Sequence, residues 1–157
     1  MQTTIPSPVG PLALTVDDDG ALTRIGFGAG ERSDDDPRLD RVVTQLTEYF
    51  AGRRTAFDLE LRPDGGSPFE RRVWAALLEI PYGETASYGE IAARIGHPGK
   101  ARAVGRANGR NPIAIVCPCH RVIGSDGSLT GYGGGLENKR TLLDLESGAL
   151  TLAMDPA

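Results

Sequence analysis

Ser87-Tyr88-Gly89-Glu90-Ile91-Ala92-Ala93-Arg94-Ile95-Gly96-His97-Pro98-Gly99-Lys100-Ala101-Arg102-Ala103-Val104-Gly105-Arg106-Ala107-Asn108-Gly109 holds two short helical segments and one turn. Ser87 and Glu90 have capping-box spacing, in which the serine hydroxyl takes a first-turn N–H and the glutamate reaches back to the cap. Ile91, Ala92 and Ile95 give the first segment an apolar side, and Gly96 closes it. Pro98 precedes a second helix from about Lys100 to Asn108, stopped by Gly109. Two short helices joined by a tight glycine-containing turn are the signature of a helix-turn-helix, whose second helix enters a groove of DNA. Many helical hairpins share that pattern. Charge sets this one apart, because its second helix carries Lys100, Arg102 and Arg106 and no acid. Ala101, Ala103, Val104, Gly105 and Ala107 leave little side chain to reach base edges. Such small residues suit close approach and sequence-tolerant binding in the minor groove; they would equally serve as helix formers packed on a core.

On the N-terminal side, Ser67-Pro68-Phe69-Glu70 combines an N-cap, a proline at the first helical position and a second capping-box glutamate. Phe69, Val73, Trp74, Leu77 and Ile80 form the apolar face of that helix, and Pro81 stops it. Before it, Arg62-Pro63-Asp64-Gly65-Gly66 breaks every periodicity and marks a domain boundary. The expected organisation is a supporting domain over residues 1–66, a helix-turn-helix catalytic domain over 67–150, and a tail over 151–157. Within the first domain, residues 11–17 and 21–27 alternate apolar and polar around Asp18-Asp19-Gly20, a hairpin signal. Leu39, Val42, Val43, Leu46, Tyr49 and Phe50 recur at helical spacing, with Gly52 closing the segment. Residues 57–61 alternate as a further strand. Nothing in residues 1–66 has catalytic spacing. The fold class is therefore α+β, a small sheet plus helix followed by a mostly helical domain.

The 157-residue chain carries a formal net charge of −4, unpromising for a nucleic-acid binder, but the average conceals a split. Residues 1–66 hold 7 basic and 12 acidic side chains, and residues 67–148 hold 10 basic and 8 acidic. Residues 91–125 contain no Asp or Glu, while Arg94, Lys100, Arg102, Arg106, Arg110 and Arg121 fall within them. A one-sign run in an acidic chain points to a polyanionic partner or to a solvated basic face. The two cysteines, Cys117 and Cys119, are too close in sequence to staple a fold. Two histidines and a Cys-Pro-Cys do not supply a four-ligand zinc site, so no metal is expected. The opening Met1-Gln2-Thr3-Thr4-Ile5 has no basic, apolar leader character, and the expectation is a cytoplasmic protein without a membrane partner.

On the C-terminal side lies Pro118-Cys119-His120-Arg121-Val122-Ile123-Gly124. It sets a thiol beside the one side chain whose ordinary pKa lies near neutrality. A base close to a cysteine favours the thiolate, which is the nucleophilic form. If this stretch is extended, Cys119 and His120 point oppositely; Arg121 reads as structural rather than catalytic. Cys117 reads as a small buried residue.

These motifs together, with Asn111-Pro112 before them, Gly131-Tyr132-Gly133-Gly134-Gly135-Leu136 after them and a helix ending Leu142-Leu143-Asp144-Leu145-Glu146, resemble the O6-alkylguanine-DNA alkyltransferases, the methylated-DNA–protein-cysteine methyltransferases. The resemblance is specific over about residues 67–148 and looser over 1–66. It implies an RNase H-like N-terminal domain and a winged-helix, helix-turn-helix catalytic domain. It also implies DNA repair by direct damage reversal: O6-alkylguanine is flipped out of duplex DNA and its alkyl group passes irreversibly to Cys119, without cofactor, in one turnover. The partner implied is double-stranded DNA, held through the minor groove by a monomer, with cooperative loading left open.

By the same resemblance Cys119 is the nucleophile, His120 its base through a water, Glu146 the carboxylate that orients His120, and Tyr88 the proton donor toward the leaving guanine. Arg102 is the finger that replaces the flipped base in the stack, with Ser87, Lys100, Ala103, Gly105 and Arg110 as further DNA contacts. Asn111, Val122, Tyr132, Gly133 and Gly134 form the base pocket, in which the Cys119 and Val122 carbonyls take the exocyclic amine. The chemistry suits these residues independently: soft sulfur displaces at saturated carbon, and a carboxylate behind an imidazole fixes its tautomer. The chain departs from some relatives at Gly133, where they have serine, and at Asn108 and Gly109, where they have larger or basic side chains. It has no Cys or His before His97, so the N-terminal zinc site of some members has no ligands here. Two other classes compete: a non-catalytic lesion-binding relative, against which Cys119 itself speaks, and a Cys-His-Glu thiol hydrolase, which would need neither Arg102 nor the acid-free run.

Overall fold

The computed structural model describes residues 1–148; residues 149–150 of the expected catalytic domain and the 151–157 tail lie outside the described residues. The chain opens with an antiparallel meander of β1 (Gln2–Ile5), β2 (Leu12–Val16) and β3 (Leu22–Phe27). β1 had no signal in the sequence reading. The β2–β3 turn forms as its sequence predicts: Asp17 Oδ1 accepts from the Asp19 and Ala21 N–H groups, and Gly20 takes φ +85°. Leu12, Leu14 and Val16 alternate inward from β2 and are all but fully buried. Helix α1 (Pro37–Phe50) covers this face, capped by the Asp36 side chain, with Pro37 in its first turn. Its inner side is Leu39, Val42, Leu46 and Tyr49.

The expected strand over 57–61 does not form. Only Leu61 bridges to Leu22, through Leu22 N–H to Glu60 O and Arg62 N–H to Leu22 O. The free edge of β3 is shared. Leu22 faces Leu61, whereas Ile25 bridges to Ile113, 88 positions later in the chain, its N–H donating to Pro112 O at 2.9 Å. Alternation in 57–61 reports one buried side, but the ladder that would make it a strand is already divided.

Helix α2 (Pro68–Leu77) starts with the Ser67–Glu70 capping box. It ends before Ile80, because Glu79 and Ile80 donate to carbonyls three residues back and Pro81 follows. A two-residue strand β4 (Ala86–Ser87) leads into α3 (Tyr88–Arg94), and the Ser87–Glu90 capping box is present. The turn carries Gly96 and Gly99 at positive φ and delivers α4 (Ala101–Gly109) against α2 and α3. Trp74 Nε1 donates to Ala107 O at 2.8 Å and ties α2 to α4. Val104, Ala107 and Asn108 turn inward while Arg102 and Arg106 stay exposed, so the small residues serve both the core and the surface. After α4 comes a buried loop, a single 3₁₀ turn at Cys119–Arg121, and β5 (Val122–Ile123), which pairs in parallel with β4. Helix α5 (Leu136–Glu146) closes the fold, which is α+β as expected.

Candidate active site

Asn111 shapes the loop that carries Cys119. Its Oδ1 accepts from Ile113 N–H at 3.0 Å and its Nδ2 donates to Cys117 O at 2.8 Å. Between them Ile115 holds φ +74°, a left-handed conformation that a β-branched residue avoids. Strain of this kind persists where surrounding bonds over-determine the chain, and the Asn111 amide supplies two of those bonds. Asn108 adds a third, Nδ2 to Cys119 O at 3.2 Å.

The extended-chain expectation for Cys119 and His120 is corrected by the 3₁₀ turn. Consecutive side chains in such a turn are spread around its axis at three per turn rather than set on opposite faces. Cys119, His120 and Arg121 are all buried. His120 Nε2 lies 2.6 Å from Glu146 Oε2, and Arg121 grips the same carboxylate through Nε to Oε1 at 2.7 Å and Nη2 to Oε2 at 3.0 Å. Arg121 Nη1 also donates to Ile80 O at 2.7 Å, so its role is structural, as the sequence suggests. Burial alone would push the Glu146 carboxyl up. The hydrogen bonds from His120 and Arg121 outweigh burial and hold it at about 2. With the carboxylate anionic, Nε2 must carry the imidazole proton. His120 Nδ1 is then left as an acceptor, buried and without a hydrogen-bond partner among the described residues. Burial pulls the imidazole below its ordinary pKa, against the attraction of Glu146, so the neutral ring is the resting form.

Burial pushes the Cys119 thiol up, while Asn111, Tyr132 and the Lys139 charge oppose it. A thiol so placed needs a proton acceptor to become nucleophilic. Cys117 is buried as expected, but its thiol turns to Trp74 O at 3.5 Å.

A cavity of about 140 Å³ lies over Cys119, lined also by Asn108, Asn111, Tyr132, Gly133 and Gly134. Arg24, Gly26 and Phe27 of β3 form its other side. It is smaller than the roughly 300–1,000 Å³ of ordinary small-molecule sites. Phe27 meets Tyr132 edge to face at 5.7 Å, and a Cβ on Gly134 would sit 2.5 Å from the Phe27 ring, so only glycine lets this wall close. Val122 is fully buried in β5 and does not line the cavity.

Tyr88 lines a second, open hollow of about 500 Å³ with Arg102, Gly105, Arg106, Thr130 and Gly131, and its hydroxyl donates to Thr130 O at 3.0 Å. Lys100, Arg102 and Arg110 are exposed, Ala103 and Gly105 half-buried beside them, and Ser87 is occupied as the α3 cap. Arg110 lies 3.3 Å from Glu70, so part of its charge is already answered.

Two residues, Lys139 and Tyr49, and one wall of the cavity are not foreseen from the sequence. Lys139 is buried, and its Nζ donates to Thr130 O at 2.9 Å. Its spacing from Leu142 and Glu146 puts all three on one face of α5, a signal that was available. The β3 wall of the cavity had no signal. Tyr49, counted only among the apolar positions of α1, donates its hydroxyl to Glu146 Oε2 at 2.6 Å.

Residues 68–148 match the family pattern described as 6-O-methylguanine DNA methyltransferase, DNA binding domain, and residues 1–63 match its ribonuclease-like domain. The chain is 54% identical over 150 residues to the methylated-DNA–protein-cysteine methyltransferase of Mycobacterium tuberculosis, covering 91% of this chain and 90% of that one. It is 49% identical to the protein of the same name from Methanosarcina acetivorans, over 89% and 94% of the two chains. The crystal structure of Mycobacterium tuberculosis OGT in complex with DNA superposes with a TM-score of 0.85 at 54% identity, covering 94% of this chain and 93% of that one.

Proposed function

The chain belongs to the 6-O-methylguanine DNA methyltransferase family, and we propose that it repairs DNA by taking the alkyl group of O6-alkylguanine, chiefly O6-methylguanine, onto its own Cys119 in one irreversible turnover. The observation that carries this reading is the buried relay: Glu146 fixes Nε2 of His120 at 2.6 Å and leaves Nδ1 as a buried acceptor in the residue after the thiol.

The alkyl carbon–oxygen bond breaks as the carbon–sulfur bond forms. The Cys119 proton passes through a water to His120, and Tyr88 supplies a proton toward the departing guanine. The thioether cannot return, so the reaction is stoichiometric. A base inside a duplex is out of reach and must be rotated outward. Helix α4 enters the minor groove, Arg102 fills the vacated stack, and Ser87, Lys100, Ala103, Gly105 and Arg110 line the strand. Asn111, Tyr132, Gly133 and Gly134 hold the flipped base; the Cys119 carbonyl takes its exocyclic amine, and the Gly133 N–H donates to O6. Residues 1–66 act as the supporting domain and 67–150 as the catalytic one, followed by the 151–157 tail. The protein works as a monomer in the cytoplasm.

Intact mass after incubation with a duplex carrying one O6-methylguanine, followed by peptide mapping, tests the reading. One added methyl per protein, on Cys119 and absent from Cys119→Ala, is expected. Methyl on Cys117 would overturn the assignment of nucleophile, and tight lesion binding without a mass change would make the protein a damage sensor.

A further inference from the structure

Glu146 Oε2 accepts three hydrogen bonds, at 2.6 Å from Tyr49 Oη, 2.6 Å from His120 Nε2 and 3.0 Å from Arg121 Nη2. A carboxylate can only accept, so the phenol is the donor. Tyr49 is fully buried on α1, across 97 positions of sequence from Glu146. Its ring is fixed by Phe50 at 5.1 Å, Phe57 at 5.4 Å and Tyr82 at 6.2 Å. Packing alone would be served by phenylalanine, as it is next door at Phe50. The hydroxyl is spent entirely on the one oxygen that also holds the imidazole. Each donor to the carboxylate stabilises its charge, so donors that share one oxygen weaken its pull on the others.

We propose that Tyr49 is a positioning residue of the alkyl-transfer reaction: its phenol holds the Glu146 carboxylate and weakens the stabilisation that carboxylate gives the His120 cation through Nε2, so that the imidazole stays neutral and able to accept the proton of Cys119 at Nδ1. This rests on the reading of Cys119 as alkyl acceptor. The charged and titratable groups acting on His120 are Glu146 and Lys139 from α5, and Arg121 beside it. Those facing Glu146 are His120, Arg121 and Tyr49, with Tyr82 and Tyr132 at longer range. Without the phenol the carboxylate bears more fully on His120, and the imidazolium becomes easier to form. Transfer needs the neutral ring, so its rate climbs as pH rises through the His120 titration, and Tyr49→Phe must move that climb to higher pH.

The experiment measures methyl transfer from a duplex containing one O6-methylguanine, from pH 5 to 9, in the wild type and Tyr49→Phe. The acid limb should move up by about one pH unit, so that the variant is about tenfold slower below the limb and converges with the wild type above it. A uniform loss at every pH, or no change, would overturn the proposal. Titration of His120 by ¹⁵N imidazole NMR runs in parallel, with His97 as the other histidine. A wild type that titrates but transfers no methyl would overturn the repair reading, and the His120 shift between the two proteins would still decide Tyr49. Should Tyr49→Phe not fold, the Tyr49 hydroxyl proton of the wild type gives the answer: its resonance should move with the His120 titration, and a resonance indifferent to it would overturn the proposal.

Discussion

Arg121 and Arg102 are one residue type in opposite settings, and the settings assign their work. Arg121 is buried, and its hydrogen bonds among the described residues go to Glu146 and Ile80 O. Arg102 is exposed on α4 beside Tyr88, with no carboxylate partner among the described residues. Removing one partner of a buried pair leaves the other charge uncompensated, at about 3–5 kcal/mol. Arg121→Ala should therefore lower the free energy of unfolding in urea by that order and carry transfer down with it. Arg102→Ala should leave the unfolding midpoint in place. It should slow transfer from duplex DNA far more than transfer from the free alkylated base, since only the duplex needs a base extruded. Equal slowing on both substrates would contradict the finger role. The sequence distinguishes the two arginines only through neighbours: Arg121 follows a Cys-His pair, and Arg102 sits in the acid-free run.

At the scale of elements, what could be read depended on whether the signal was local. Both capping boxes lie where Ser67–Glu70 and Ser87–Glu90 place them, because four consecutive residues contain the whole interaction. The hairpin at Asp17–Gly20 is legible for the same reason. Residues 57–61 misled because alternation reports burial, whereas a strand also needs a free ladder, and Ile113 had taken part of that edge. The 3₁₀ turn at Cys119–Arg121 was hidden because loop geometry there is imposed by the amides of Asn108 and Asn111. Helix α4 carries the element-scale prediction. Lys100, Arg102, Arg106 and Arg110 are its exposed cations, but Arg110 already faces Glu70 at 3.3 Å. Each phosphate neutralised contributes about −0.9 to the slope of log K against log salt. Lys100, Arg102 and Arg106, without a carboxylate partner among the described residues, give a slope of about −3 for duplex binding by Cys119→Ala, measured by fluorescence anisotropy across a salt series. A flat response would remove α4 from the interface.

Two junctions that no local pattern announces join distant parts of the chain. β3 shares its edge between Leu61 and Ile113, and Tyr49 of α1 reaches Glu146 at the end of α5. Residues 1–66, without catalytic spacing of their own, thus supply one donor to the relay and one wall of the cavity. Both contributions depend on contacts far apart in sequence, beyond the reach of periodicity. The same burial that assembles the site sets the pH range in which the fold is stable. His120 is held below its ordinary 6.5 by burial, so the unfolded chain takes up a proton at a pH where the folded one does not. Its contribution is complete above pH 6.5 and declines as pH falls below that. Glu146, held at about 2 against an ordinary 4.5, adds a second loss between those values. That second loss is on the order of 3 kcal/mol. On the other side, burial pushes the Cys117 and Cys119 thiols above their ordinary 9.0. Unfolded thiols ionise there while folded ones do not, so stability declines as pH rises above 9. Urea unfolding from pH 3 to 10.5 should therefore give a plateau between about 6.5 and 9 with a fall on each side. Stability that kept rising below pH 6 would contradict a neutral, buried His120. Cys117 donates only to Trp74 O and stands outside the cavity, so Cys117→Ala should shorten the alkaline fall while leaving the acid fall and methyl transfer as they are. An alkaline limb unchanged in that variant would assign the fall to Cys119 together with the buried phenols of Tyr49 and Tyr132, which burial also pushes up, and methylation of Cys119 should then shorten it.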